Sequence, residues 1–385
     1  MINRSAHIQR LLGLIARHPV VAILGARQVG KTTLARELVA AQSAKAAFFD
    51  LENPDTRARL LEPMLTLEPL RGLVVLDEIQ RAPEIFPVLR VLADRPKRPA
   101  TFLVLGSASP ELLRQSSESL AGRIVFHELG GFTLDEVGGR DLDRLWLRGG
   151  FPRSFLSDSD AHSLEWRDAF VRTFLERDIP QLGFSIPSDT LRRFWTMVAH
   201  YHGQVWNGSE IARSLAVSEA SVRRYVDLLS SALVVDQLQP WHENLSKRQV
   251  KSPRVFMSDS GLLHALLGIE TLDELLGHPK LGASWEGFAI RQVVTQLELR
   301  REDCFFWATH AGAELDLLVL RGRKRWGFEF KRTSQPAMTS SMSIAIENLG
   351  LRNLTVIHAG PDAFPLARSI RAVPLKAIGE MLRLD

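Results

Sequence analysis

One cysteine, Cys304, occurs in 385 residues. A lone thiol builds neither an internal disulfide nor a cysteine-rich zinc site, so disulfide-framed secreted folds and zinc-finger folds are excluded. No stretch approaches the roughly 18 consecutive apolar residues of a membrane span. The apolar patches nearest the start, residues 11–15 and 20–24, are broken by Arg17, His18 and Pro19 and do not have the layout of a signal peptide. Internal repeats and low-complexity tracts are also missing. Neither sign of charge dominates, since 48 Lys and Arg face 44 Asp and Glu for a net charge of +4. That mild excess admits a polyanionic partner without requiring one. Together these absences predict a cytoplasmic protein in a reducing compartment, with no membrane contact.

What is present is enough apolar material, 45% of residues, for several cores. The length fits two to four domains. Residues 19–24 (PVVAIL) form a short apolar run rich in β-branched residues and read as a buried strand. The run enters Gly25-Ala-Arg-Gln-Val-Gly30-Lys31-Thr32-Thr33 and then a helical pattern. This is G-x-x-x-x-G-K-T between a strand and a helix, the context of a phosphate-binding P-loop. The glycines let backbone N–H groups turn inward, and the following helix directs its positive end at the phosphates. Lys31 is expected to reach the β- and γ-phosphates of ATP, and the Thr32 hydroxyl to ligate Mg2+.

Residues 73–78 (LVVLDE) are an apolar strand ending in two acids, a Walker B pattern. Asp77 is expected to hold Mg2+, and Glu78 to polarise the attacking water. A third strand, residues 101–105, ends in Gly106-Ser107. Ser107 stands where AAA+ ATPases place a sensor group, or else caps the helical stretch at 110–114. Arg123, in Ser119-Leu-Ala-Gly-Arg123, suits an arginine finger offered to a neighbouring subunit, with a surface ion pair as the plainer alternative.

The segments ILGARQVGKTT (from Ile23), LVVLDEIQRAP (from Leu73), FLVLGSAS (from Phe102) and SLAGR (from Ser119) resemble a large group of predicted prokaryotic AAA+ ATPases with an uncharacterised C-terminal region. Gly149-Gly-Phe-Pro152 and Glu176-Arg-Asp178-Ile look like the same group. The resemblance spans essentially the whole chain. It implies an α/β fold with a parallel-sheet P-loop domain, an ATPase using ATP and Mg2+, and a homo-oligomeric ring.

The expected domains are an AAA+ ATPase domain at 1–145, a helical lid or linker at 146–195, a winged helix-turn-helix at 196–270 and an α/β nuclease-like domain at 275–385. In the lid, Trp146, Trp166, Phe170, Phe174 and Trp195 fall at helical spacing and read as core rather than as a base-stacking platform. In the third region, Ser209 and Ser218 read as caps of two short helices joined through Ala216 and Val217. The second helix carries Arg223 and Arg224, and a wing carries Lys247, Arg248 and Lys251; these five are the candidate DNA contacts. Winged helices also serve as protein-binding modules or as parts of a lid.

In the last region, Glu286 lies near the start of an amphipathic helix. Asp316 and Glu329-x-Lys331 fall on strands that follow it, a pattern that resembles the PD-(D/E)XK (restriction-endonuclease-like) nuclease superfamily. Glu286, Asp316 and Glu329 would form an oxygen site for a divalent metal, with Lys331 orienting water or stabilising charge. Such folds also exist as DNA binders without cleavage. The leading expectation is an ATPase that couples ATP turnover to DNA binding or remodelling, branched DNA included. The rival is a nucleotide-dependent signalling switch acting through protein contacts, of a defence or toxin-antitoxin kind.

Overall fold

The structure, a computed structural model, describes residues 2–41, 46–107, 118–181, 186–242 and 251–382. The chain divides into two compact units, Met1–Gly131 with Ser231–Leu233, and Phe132–Ser230 with Val234–Asp385.

The first unit is built on a five-stranded sheet of β1 (Val20–Gly25), β2 (Ala46–Asp50), β3 (Gly72–Asp77), β4 (Ala100–Ser107) and β5 (Ile124–Glu128). The order is β2-β3-β4-β1-β5, and every pair is parallel. The central strands are apolar on both faces, as an all-parallel sheet covered by helices demands; every residue of β1 is buried. Parallel strands put all their C-terminal ends on one edge, where an open α/β sheet binds its ligand. Gly25, Asp77 and Ser107 are the last residues of β1, β3 and β4, so they share that edge. Among the described residues no helix is long and apolar enough to cross a membrane.

The second unit carries β6 (Gln204–Val205), β7 (Val235–Pro240), β8 (Arg254–Met257), β9 (Cys304–Ala308), β10 (Glu314–Arg321), β11 (Lys324–Lys331), β12 (Leu354–His358), β13 (Phe364–Ala367) and β14 (Ile370–Pro374). Their order is β13-β14-β12-β11-β10-β9-β7-β8-β6. The antiparallel run β9-β10-β11 is followed by the helix Ser340–Leu349 and by β12, which lies parallel to β11. Met342, Ala345 and Leu349 on that helix pack with Leu315, Leu318 and Val356 of the sheet.

The unit boundaries differ from those expected at 145, 195 and 270. The helix Leu142–Arg148 belongs with the second unit, and the regions 196–270 and 275–385 share one sheet. The link is a parallel pairing of β7 with β9, Gln239 to Phe305 and Pro240 to Phe306. Two residues of ladder carry no pattern visible in a single sequence. Of the aromatics expected as core, Trp146, Phe170, Phe174 and Trp195 are buried and Trp166 is half-buried. Phe151, Trp166, Phe170, Phe174 and Trp195 form a continuous run of ring contacts.

The Gly149-Gly-Phe-Pro152 motif has a packing cause. Asp259 caps the helix Ser260–Leu267 and also accepts a hydrogen bond from the N–H of Gly150 at 2.7 Å. A Cβ on Gly149 would stand 2.1 Å from Asp259 Oδ1, and its φ of +75° is left-handed. Gly149→Ala is therefore expected to destabilise the second unit by about 2–5 kcal/mol, combining backbone strain with overpacking. Urea denaturation measures it, and a loss below about 1 kcal/mol would contradict this account.

Candidate functional site

The loop after β1 folds back on itself through two left-handed residues, Gln28 (φ 62°) and Gly30 (φ 100°). Gly25 must lack a side chain, because a Cβ there would lie 2.5 Å from the carbonyl oxygen of Leu129. The helix Lys31–Ala41 starts at the loop's end. Lys31 is buried, and its ammonium donates to the carbonyls of Gly25 (3.1 Å) and Ala26 (3.0 Å). A buried cation at the first residue of a helix favours an anion there, and the two carbonyls hold the ammonium in place. Thr32 is half-buried beside it, while Thr33 is exposed on the same helix.

Thr32 Oγ1 donates to Asp77 Oδ2 at 2.8 Å, joining the P-loop helix to the tip of β3. Asp77 is buried, and that burial pushes its carboxyl above the usual range, although the Thr32 bond pulls the other way. Glu78 sits in a left-handed conformation (φ 56°), uncommon for a residue with a side chain. Its N–H donates to Asp77 Oδ1 at 3.0 Å, and its carboxylate accepts from the Gln80 amide. Ser107, half-buried, lies in register with Gly25 on the strand between β1 and β3. The helix expected to follow Ser107 falls outside the described residues.

One residue at this site escaped the sequence reading. Arg4, at the cap of the first helix Ser5–Arg17, is 6% exposed. Its guanidinium donates to the carbonyls of Val29 in the P-loop (3.4 Å), Gly130 (3.1 Å) and Gly131 (3.4 Å). It thus ties the loop to the segment after β5. His7, on the same helix, shares a hydrogen bond with His127 of β5 at 2.9 Å. Burial first, and then neighbouring charge, lowers the two imidazoles to about 4 and about 3. No motif surrounds Arg4, so only the folded contact reveals it.

Arg123 lies elsewhere. It precedes β5, and its carbonyl accepts from the N–H of Val20, at the end of β1 remote from the P-loop. The sheet puts it about 16 Å from its own phosphate loop, at about 3.3 Å per residue over five residues. Its guanidinium forms a two-pronged ion pair with Asp94, Nε to Oδ1 at 2.7 Å and Nη2 to Oδ2 at 2.8 Å.

In the second unit, the helices Gly208–Leu215 and Glu219–Ser231 are joined through Ala216, which is left-handed (φ 54°). The first cap is Asn207 rather than Ser209: Asn207 Oδ1 accepts from the Glu210 N–H, and Ser209 donates its hydroxyl to the same oxygen at 2.9 Å. Ser218 caps the second helix, accepting from the Ser221 N–H at 3.1 Å. Arg223, Arg224 and Lys251 are exposed, whereas Lys247 and Arg248 fall outside the described residues.

Glu286, Asp316, Glu329 and Lys331 come together as expected, but not alone. Lys331 Nζ lies 2.8 Å from Glu329 Oε2 and 3.8 Å from Asp316 Oδ2. Arg254, the first residue of β8, enters the same centre. One of its nitrogens, Nη1, lies 3.3 Å from Glu286 and 3.6 Å from Asp316, and the other, Nη2, pairs with Glu314. Burial, reinforced by the Asp316 charge, pushes the carboxyls of Glu286 and Glu329 upward. Among the described residues no group of three His, Cys, Asp or Glu side chains is arranged to hold a metal ion.

A parallel sheet with a P-loop after β1 and paired acids after β3 defines a nucleotide-binding protein of the P-loop ATPase class. Residues 17–138 match the family model described as an AAA domain. Residues 139–273 and 281–378 match two further models, both described as domains of unknown function, DUF8612 and DUF4143. Two uncharacterised mycobacterial proteins, Rv2008c of Mycobacterium tuberculosis and Mb2031c of Mycobacterium bovis, are each 50% identical over 378 residues, covering 98% of this chain and 85% of theirs. The chain belongs to the family of these two proteins. Among solved structures, the Walker-type ATPase PABY2304 of Pyrococcus abyssi is 16% identical, with a TM-score of 0.49 over 69% of this chain and 96% of that one. The Holliday junction branch migration motor RuvB of Thermotoga maritima is 16% identical, with a TM-score of 0.29 over 61% and 90%.

The two cations at the loop separate by experiment. Lys31→Ala removes the charge that faces the phosphates and is expected to weaken ATP binding at least about 100-fold, the scale of losing charge-assisted hydrogen bonds. Arg4→Ala loosens the loop and is expected to weaken it about 10-fold, with Arg4→Lys intermediate. Equilibrium titration with a fluorescent ATP analogue reads both; wild-type affinity in Arg4→Ala would remove the bracing role.

Proposed function

We propose that this protein hydrolyses ATP with Mg2+ and couples the cycle to the binding or remodelling of DNA, branched DNA included. The observation that carries the ATPase part is the Thr32–Asp77 hydrogen bond with Glu78 beside it. A hydroxyl and a carboxylate suit Mg2+, a hard cation that would offset phosphate charge when bound. In this reading Lys31 and the Gly25–Gly30 loop hold the phosphates, and Ser107 lies close enough to sense the terminal one. Glu78, held out of the regular strand by its left-handed backbone, orients the attacking water and takes its proton.

The position of Arg123 supports a ring or at least a dimer. Being remote from its own P-loop, it can serve only a neighbour's site, and Asp94 must release it to do so. Two inactive chains should then rescue each other. Arg123→Ala mixed with Lys31→Ala is expected to recover part of the wild-type ATPase rate, because some interfaces pair an intact loop with an intact finger. No recovery at any mixing ratio would return Arg123 to a surface ion pair.

The DNA part draws on the two helices joined at Ala216, the strands β6, β8 and β7 at one end of the sheet, and the exposure of Arg223 and Arg224. In this reading these elements form a winged helix, whose second helix presents side chains to a groove. The proposal assigns contact rather than cleavage to this unit, because Arg254 already fills the acidic centre where cleavage would need a metal. A nucleotide-dependent switch acting on other proteins is the second reading. It draws on Leu61 and Leu65 of the first unit, 80% and 78% exposed.

ATPase rates with duplex, single-stranded and branched DNA separate the readings. DNA is expected to raise turnover several-fold. Glu78→Gln should retain ATP binding and lose hydrolysis, since only the water-activating group changes. Replacing Arg223 and Arg224 together with Ala should weaken DNA binding across all sequences and reduce the salt slope by about 2. Turnover indifferent to every DNA form would favour the protein switch.

A further inference from the structure

The acidic centre of the second unit gathers four carboxylates, Glu286 from the helix Leu281–Gln296, Glu314 and Asp316 from β10, and Glu329 from β11. A divalent metal there would need several of these oxygens within about 2.0–2.6 Å of one point. That point is taken. Arg254 Nη1 stands between Glu286 Oε1 at 3.3 Å and Asp316 Oδ1 at 3.6 Å, in the gap that a bridging cation would use. The guanidinium also lies over the ring of Phe306, with its central carbon 5.0 Å from the ring centre. Phe306 is fully buried on β9. An aromatic face attracts a flat, weakly hydrated guanidinium and offers no oxygen to a metal. Arg254 itself is 6% exposed, so its charge is held inside this centre rather than in solvent. Lys331 supplies a second cation against Glu329 and Asp316.

We infer that Arg254 is the resident cation of this centre, and that the wild-type centre takes no divalent metal. The residues that give the chain its nuclease-like pattern therefore form a closed ion-paired joint between β8, β10, β11 and the helix Leu281–Gln296. Removing Arg254 leaves four carboxylates against Lys331 alone, with Glu329 Oε1 already buried and without a hydrogen-bond partner. Such a pocket must acquire protons or another cation. Arg254→Ala is the change that turns the joint into a metal site.

The test is Mn2+ binding by the full-length, nucleotide-free protein, followed by loss of the free-ion electron paramagnetic resonance signal. Wild type should show no Mn2+ site that disappears in Asp316→Asn. Arg254→Ala should show a new saturable site, and Asp316→Asn on that background should abolish it. Arg254→Lys, which keeps the charge, should bind no more Mn2+ than wild type and should fold where Arg254→Ala does not. A wild-type Mn2+ site that Asp316→Asn removes would overturn the inference. So would a folded Arg254→Ala protein that gains no site, or an Arg254→Lys protein that gains one. Using Asp316→Asn as the criterion separates this centre from any Mn2+ held at Thr32 and Asp77.

Discussion

The hydrogen bond from Thr32 to Asp77 joins residues 45 apart in the chain and constrains most of the first unit. It forms only if the helix after β1 and the tip of β3 open on the same edge of the sheet. That condition holds because all five strands run parallel, with β4 between the two. The same order lays Ser107 beside Gly25, so the loop, the acids and the small hydroxyl meet without any long side chain reaching for them. Asp77 shows the cost. Its burial favours the neutral acid, and a protein hydroxyl offsets only part of that. A nearby cation would offset more, so the burial of Asp77 favours a cation beside it.

The second unit is governed by the rule that an ion taken out of water must be paired or hydrogen-bonded. Arg167, fully buried, donates to the carbonyls of Gly261 and Leu147 and to that of Ser163 on its own helix. Burial lowers it to about 10, still charged at neutral pH. Asp259 is its counter-charge and spends its oxygens on the N–H groups of Gly150 and Leu262. A neutral chain runs alongside, with the Trp146 indole donating to Ser284 and Ser284 hydrogen-bonded to His264, whose other nitrogen meets the Leu147 carbonyl. These contacts bind the helices Leu142–Arg148, Ser260–Leu267 and Leu281–Gln296 into one body. They explain why regions that the family models divide at 273 and 281 do not separate in space.

The phosphate loop is legible because its own parts are contiguous in the chain. A strand, a glycine loop and a helix must follow one another, and each has its own local signature. Glu78 was found by its place beside Asp77, though nothing in the sequence announced its left-handed backbone. Arg4 was invisible for the opposite reason: its partners lie 25, 126 and 127 residues away, and each is a backbone carbonyl that any residue could offer. The helix pair of the second unit is readable from its capping residues and the turn between them, but the first cap lies two residues earlier, at Asn207. Gly208 begins the helix, so the cap is Asn207 and Ser209 lies inside the first turn. The pairing of β7 with β9 had no local signature at all.

Arg254 shows why a spacing pattern and a chemistry are different things. Asp316, Glu329 and Lys331 fall on neighbouring strands as their spacing requires, and Glu286 joins them from the helix. A search confined to those elements finds acids in want of a cation. The cation comes instead from β8, three strands beyond β10 in a sheet whose continuity no motif records. Once Arg254 and Lys331 are counted, two positive charges already face the four carboxylates. Burial together with the Asp316 charge pushes the carboxyls of Glu286 and Glu329 upward, so the centre disfavours carrying four ionised acids at once. Adding a divalent ion to that arrangement would set it against a guanidinium in the same gap, at a separation where two cations repel strongly in a dry interior. The spacing pattern thus rests on the positions of the acids, while the guanidinium beside them comes from an arginine outside that pattern.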